Sequence, residues 1–271
     1  RWGRSRAARS RVYRHNHPHR TLQRNIVGLK ARNLPEAELW WMSPPCQPYT
    51  VRGKRRDLDD PRAASLLKVI DLIDEVRPAA IGLENVPGFE ASRARERLRE
   101  TLDRAGYGVI ERELCPTALG IPNIRRRFYL AATLGRSPTW RDLPRVGRRL
   151  AEYLDDEPDP SLDVEDRLRE RFGTALHVVD AADGEAVSAC FTSAYGRSPV
   201  YSGSYLRDRG RLRRFSPAEG LRLLHFPEEF ALPPELPAAK AWPLVGNRGS
   251  VAAVREVLIA AGLRSVGYDG P

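Results

Sequence analysis

Leu39-Trp40-Trp41-Met42-Ser43-Pro44-Pro45-Cys46-Gln47 is an apolar run that two prolines turn into a corner. Proline fixes its own φ and pushes the residue before it into extended backbone, so the pair ends a short strand and holds Cys46 on a stiff strand-to-loop corner. Two readings of the thiol stand at this point. It is a nucleophile presented at a strand end, or it packs as a small apolar side chain, the common fate of free cysteine.

Outward from this corner the pattern alternates. Val51 to Pro61 is polar and charged and reads as a mobile loop. Between Arg62 and Val76, Ala63, Leu66, Leu67, Ile70 and Ile73 recur at helical spacing, and Arg77-Pro78 stops the helix. Ala79 to Leu83 is a second buried strand running directly into Glu84-Asn85-Val86-Pro87-Gly88-Phe89, and a helix from Ser92 to Ala105 follows, closed by Gly106. Strand, helix, strand, helix predicts an α/β fold with a parallel sheet and helical crossovers, in which ligands sit beyond the carboxyl ends of the strands. Cys46 and Glu84 both fall at such ends.

A third strand, Val109 to Leu114, and a fourth, Arg127 to Thr133, flank Gly120-Ile121-Pro122-Asn123-Ile124-Arg125-Arg126-Arg127. Extended chain has a period of two, so Arg125 and Arg127 share a face. Residues 136–212 change character, acidic from Asp155 to Asp159 and Gly/Ser-rich from Tyr195 to Tyr205. The expected organisation is a core over 1–135, a small inserted domain over 136–212 and a return to the core over 213–271. The return opens on Ser216-Pro217-Ala218-Glu219, a capping box with proline at the first helical position, and Gly246-Asn247 precedes the last helix.

Composition narrows the class. A chain of 271 residues with 41% hydrophobic content can build a substantial core. Three cysteines without paired spacing argue against a disulfide framework and a clustered metal site, which predicts a reducing, cytoplasmic setting. No stretch approaches the roughly 18 apolar residues of a membrane span, and no charged-then-apolar leader is present, so a soluble protein is expected. A net charge of +10 suits a protein that neutralises phosphates. Arginine supplies nearly all of it, however, the lysines being Lys30, Lys54, Lys68 and Lys240 alone, and a GC-rich gene would do the same.

A thiol, a carboxyl and two arginines at one sheet edge suit chemistry on a pyrimidine. A thiolate adds to C6, a carboxyl at N3 relieves the developing charge and an arginine holds O2, so C5 becomes enamine-like and attacks an electrophilic methyl. Neighbouring guanidinium groups favour the thiolate this requires, and their fork also suits a phosphate. Each piece has a plainer reading: Glu84 as a loop cap, Arg125 to Arg127 as a solvated basic run, Asn247 as an ordinary helix cap.

In order and context these pieces resemble the cytosine-C5 methyltransferases, which carry a PPCQ corner, an ENV tripeptide, a (Q/N)xRxR stretch and a late GN(S) element. Here they read Pro44 to Gln47, Glu84 to Val86, Asn123 to Arg127 and Gly246-Asn247, and the likeness spans residues 11–262. Cys190-Phe191-Thr192, with Ala194-Tyr195-Gly196 and Gly203-Ser204 after it, is similar to the signature of the tRNA-aspartate cytosine-38 branch. Asn123 in place of glutamine points the same way.

The resemblance implies that Cys46 is the nucleophile, Glu84 the N3 partner, and Arg125 with Arg127 the pair holding base and phosphate. It implies S-adenosylmethionine as cofactor, its adenosine against Asn25, Ile26, Ser43 to Pro45, Leu66 and Asn247. Substrate contacts would come from Gln47, Asn85, Asn123, Arg52 and Cys190-Phe191-Thr192. The loop from Val51 to Pro61, with Arg52, Lys54, Arg55 and Arg56, would be a lid over an extruded base, although the same residues also make an ordinary solvated loop.

The implied fold is a Rossmann-like methyltransferase sheet with a small inserted target-recognition domain. The family opens with a strand and a glycine-rich FxGxGG-type turn that do not precede Arg11 here, so the chain is expected to be N-terminally truncated by one strand-turn-helix unit, on the order of 30 residues, and to bind cofactor weakly. Asn25 stands where an aspartate is usual, Arg248 where the GNS serine is, and Ser193 where the tRNA branch has lysine. The expected function is methyl transfer to C5 of cytosine by a monomer acting on nucleic acid, tRNA before DNA. A non-catalytic nucleic-acid-binding remnant is the alternative.

Overall fold

The structure, a computed structural model, describes residues 2–19, 21–22, 24–50, 56–143 and 147–263. A first helix, Trp2–Asn16 (α1), leads through short turns to the strand Leu39–Met42 (β1). The helix Ala64–Val76 (α2) buries Leu66, Ile70, Leu72 and Ile73 and stops at Arg77, whose φ of 50° is left-handed and precedes a proline that cannot continue a helix. The strand Ala80–Asn85 (β2) then lies parallel to β1, Leu39 opposite Ala80 and Met42 opposite Leu83. The helix Arg93–Arg104 (α3) starts at Ser92, whose hydroxyl accepts from Arg95 N.

The strands Tyr107–Leu114 (β3) and Arg127–Leu134 (β4) complete the sheet in the order β1-β2-β4-β3. Only β1 and β2 are parallel; β4 runs antiparallel to both its neighbours. This corrects the expectation of a parallel sheet. No α-helix lies between Leu114 and Arg127 to carry the chain back to the starting edge, so β4 returns in the opposite direction. The reversal sets the site, because it lays the beginning of β4 beside the end of β2, with Glu84 opposite Tyr129 and Asn85 opposite Phe128.

The alternation of β4 feeds two cores. Phe128, Leu130 and Ala132 face the layer of α2 and α3 with Ile70, Ile73, Leu98 and Leu102. Tyr129 and Ala131 face a second cluster that includes Phe191, Tyr195, Phe215, Trp242 and Val257. Further along the chain come the short helix Asp166–Phe172 (α4) and a second sheet of Val178–Asp180 (β5), Tyr205–Asp208 (β6) and Arg211–Arg214 (β7). The helices Pro217–Leu223 (α5), Ala238–Val245 (α6) and Val251–Ala260 (α7) close the chain. Because Phe191 and Leu206 share a cluster with Trp242 and Val257, residues of the 136–212 segment pack into the same core as the C-terminal helices.

At that junction the Arg213 guanidinium, with no exposure, donates to Asp208 Oδ2 and to both carboxylate oxygens of Glu219. Glu219 also completes the capping box of α5 with Ser216. Buried charges are tolerated when every polar atom finds a partner, as here. Among the described residues Cys46, Cys115 and Cys190 are free thiols, no group of three metal-ligating side chains occurs, and no helix is long and apolar enough to cross a membrane.

Candidate active site

The corner after β1 folds as the two prolines dictate. Cys46 is half-buried, and its carbonyl accepts from Tyr49 N at 2.9 Å. Tyr49 is buried edge-on against Phe89, 4.9 Å between ring centres. A Cβ on Gly88 would lie 2.3 Å from Tyr49 O, so only glycine lets the loop after β2 close on the loop after β1. Cys46 is thereby brought to the edge where Glu84 ends its strand.

Glu84 Oε1 lies 3.2 Å from Arg127 Nε, the two side chains only 15% and 17% exposed. Burial pushes the Cys46 thiol up from its ordinary value. Arg127, the local backbone and Arg125 pull it down, and the Glu84 charge adds to the rise. Thiolate therefore grows with pH through a range above that of a free cysteine. Alkylation of Cys46 by iodoacetamide, followed peptide by peptide in a mass spectrometer, is expected to show a midpoint above the ordinary thiol value. Arg127→Met removes a stabilising charge and moves the midpoint further up.

Arg125 is held differently from Arg127. Its guanidinium is buried, Nη1 donating to Phe191 O at 3.1 Å and Cys190 Sγ at 3.3 Å, Nη2 to Gly246 O at 3.0 Å and to Arg248 O. Four acceptors of the chain itself occupy its two Nη atoms, while the buried Nε has no acceptor among the described residues. Arg125 thereby clamps the 190–191 and 246–248 segments together, whereas Arg127 is paired with Glu84. Asn123 is a second fastener: it is 1% exposed and donates to Ser188 Oγ at 3.0 Å and Ala189 O at 3.3 Å. Phe191 is a core residue, its ring 4.9, 5.0 and 5.3 Å from those of Tyr195, Phe215 and Trp242. Both side chains, expected to touch substrate, are enclosed by the chain in this structure.

The other residues expected to contact substrate differ in their exposure. Cys190 is half-buried, with Sγ 3.3 Å from Arg125 Nη1 and 4.0 Å from Arg127 Nη2. Gln47 is exposed on the corner and Thr192 is half-buried. Asn85 Oδ1 accepts from Val86 N at 2.8 Å, while its buried Nδ2 has no acceptor among the described residues. Arg52, Lys54 and Arg55 lie outside the described residues. The described half of the expected lid is anchored: Asp57 accepts from Arg93 N at 2.6 Å and Ala94 N at 3.3 Å at the start of α3, and Arg93 pairs with Asp59 at 2.7 Å.

Beside the corner lies a cleft of about 480 Å³, and Ile26, Ser43, Pro45 and Leu66 all line it, with Pro44, Trp40 and Val69. Asn25 shapes it from behind, its Oδ1 accepting from Val27 N at 3.2 Å and so fixing the turn that carries Ile26. Asn247 is exposed and donates to Pro243 O at 2.7 Å, away from this lining. Apolar walls with the hydroxyls of Ser43 and Ser65 suit a flat heterocycle such as adenine, and the volume is that of a small-molecule site. What sequence reasoning missed was the Tyr49–Gly88 contact, whose signal is the bare glycine after the ENV tripeptide, and the clamp of Arg125, which carries none.

A mixed α/β sheet thus gathers a thiol, a carboxylate and a guanidinium at one edge, next to a largely apolar cleft. The sequence profile of C-5 cytosine-specific DNA methylases matches residues 6–145, and the chain belongs to that family. A tRNA (cytosine(38)-C(5))-methyltransferase of Schizosaccharomyces pombe is 32% identical over 248 residues, 80% of this chain and 74% of the relative. The enzyme of that name from Spodoptera frugiperda is 29% identical, covering 91% of this chain and 86% of its own. The crystal structure of S. pombe Dnmt2 superposes with a TM-score of 0.80 at 29% identity over 92% of this chain and 86% of that one. The chain is a cytosine-C5 methyltransferase, of a family that takes its methyl group from S-adenosylmethionine.

Proposed function

We propose that this chain methylates C5 of cytosine in tRNA, with Cys46 as nucleophile, Glu84 at N3 and Arg127 at O2 of the base. The observation that carries it is the Glu84–Arg127 pair, 3.2 Å apart and largely buried at the edge that also holds Cys46. Cys46 Sγ, as thiolate, forms the bond to C6. Glu84 holds a proton at N3 while negative charge accumulates on the ring, and the Arg127 guanidinium, fixed by Glu84, donates towards O2. Loss of the proton from C5 then re-forms the C5–C6 double bond and breaks the C6–Sγ bond, releasing the Cys46 thiolate. The cleft lined by Ile26, Ser43, Pro45 and Leu66 would hold S-adenosylmethionine, with Asn25 fixing the turn that carries Ile26. That cofactor supplies an electrophilic methyl when bound.

Support for tRNA comes from relatives named for tRNA cytosine-38 methylation at 32% and 29% identity. A DNA (cytosine-5)-methyltransferase of Dictyostelium discoideum, 27% identical over 82% of this chain, favours DNA as the second reading. An unpaired loop base also leaves its stack more readily than a duplex base. Tritiated methyl transfer to tRNA and to duplex DNA, side by side, is the test. A preference for tRNA of about a hundredfold or more is expected, the scale of a few kcal/mol of unstacking. Equal or faster transfer to DNA would reverse the assignment.

A further inference from the structure

The loop from Thr192 to Ser202 displays an aromatic side chain from a backbone conformation that opposes it. Tyr201 is 79% exposed, and its φ of 58° lies in the left-handed region, where a Cβ crowds the following carbonyl. Such a residue persists when its surroundings impose the conformation, and these outliers gather at functional sites. Here the surroundings do impose it. Thr192 N donates to Ser202 O at 2.8 Å, Ser202 Oγ to Ser198 O at 2.5 Å and Ser198 Oγ to Val200 O at 3.1 Å. The next residue, Gly203, packs so tightly on Phe191 and Tyr195 that a Cβ would meet them at 2.5 and 2.6 Å. The ring of Tyr201 stands on a stiff loop.

That loop borders the active site. Ser202 is bonded to Thr192, and two residues earlier the Cys190 sulfur lies against Arg125 and Arg127, the latter paired with Glu84. Arg197, exposed on the same loop with its guanidinium on Ser193 O at 2.8 Å, adds a fixed cation. An outward aromatic ring and a cation beside a base-binding site are the elements on which an unpaired base stacks while its phosphate is held. Extruding a cytosine strips its neighbours of a stacking partner, and a ring on the rim restores one.

We propose that Tyr201 is a stacking platform for an unpaired nucleotide flanking the target cytosine. This rests on the reading of Cys46, Glu84 and Arg127 as the site for that cytosine. The test uses an RNA hairpin with 2-aminopurine on either side of the target. Wild-type protein is expected to quench one of the two fluorophores on binding. Tyr201→Ala loses the quench and raises KM about tenfold, within the range of one base–aromatic stack, with kcat unchanged. Tyr201→Phe keeps both, since the ring is the working part. Tyr201→Gly suits the backbone, so its KM should match that of Tyr201→Ala without loss of melting temperature, which separates recognition from folding. A KM within about twofold of wild type in both small variants, or a quench that survives them, overturns the platform while methyl transfer by wild type upholds the site. Absence of Cys46-dependent transfer by wild type overturns both.

Discussion

Replacing Cys46 with alanine is expected to lower methyl transfer by on the order of 10⁴-fold or more, the scale on which covalent enzymes lose activity when their nucleophile is removed. C5 of cytosine is a poor nucleophile until C6 carries a substituent, so Glu84 and Arg127 can hold the base in the variant without starting the reaction. RNA affinity should stay within about twofold, since a thiol on the order of one methylene in size contributes little to binding a polyanion. The fold should also stay. What shapes the corner is Pro44, Pro45 and the bond from Tyr49 N to Cys46 O, all of which alanine preserves. Cys190 gives the experiment its contrast, because its sulfur lies against the same two arginines. RNA carrying 5-fluorocytosine should form a complex that survives denaturing electrophoresis with Cys190→Ala and not with Cys46→Ala. The opposite outcome would move the nucleophile to Cys190.

The placement of Cys46 and Glu84 was legible in the sequence, because two prolines stiffen the corner and an apolar run delivers the carboxyl to a strand end. The direction of β4 was not. A run such as Phe128 to Ala132 reads as a buried strand in either orientation, and strand–helix alternation suggested a parallel one. Had β4 been parallel to β2, Arg127 would lie roughly 25 Å away, at the other end of the strand. The salt bridge to Glu84 exists because the strand is reversed. The division of labour between Arg125 and Arg127 was equally hidden. Both face one way in extended chain, but the acceptors that enclose Arg125 come from residues 65 to 123 positions further on. The enclosure of Phe191 was hidden for the same reason, being decided by Phe215 and Trp242. Ile26, Ser43, Pro45 and Leu66 line one cleft, three of them supplied by the corner and the helix next to it, which are local in sequence.

Replacing Glu84 with glutamine is expected to move two properties of the site in opposite directions. Methyl transfer should fall by about 10²- to 10⁴-fold, the range attributable to a positioned proton donor, because an amide cannot give N3 the proton that relieves the ring. The thiol should become more reactive. The Glu84 charge is one of the influences holding Cys46 above its ordinary value, so its removal lowers the midpoint of Cys46 alkylation and speeds the reaction at a fixed neutral pH. Burial is the larger cause and remains, so the midpoint falls only part of the way. Glutamine keeps an oxygen for Arg127 Nε, 3.2 Å away in the native pair, and so holds the guanidinium near its place. A variant that merely loosened the site would expose Cys46 and lose the dependence on Arg127 as well. The double variant Glu84→Gln with Arg127→Met separates the two cases. In an intact site the second substitution pushes the midpoint back up, since it removes a charge that favours thiolate. Unchanged methyl transfer by Glu84→Gln, or a Cys46 that alkylates more slowly, would take the N3 role away from Glu84.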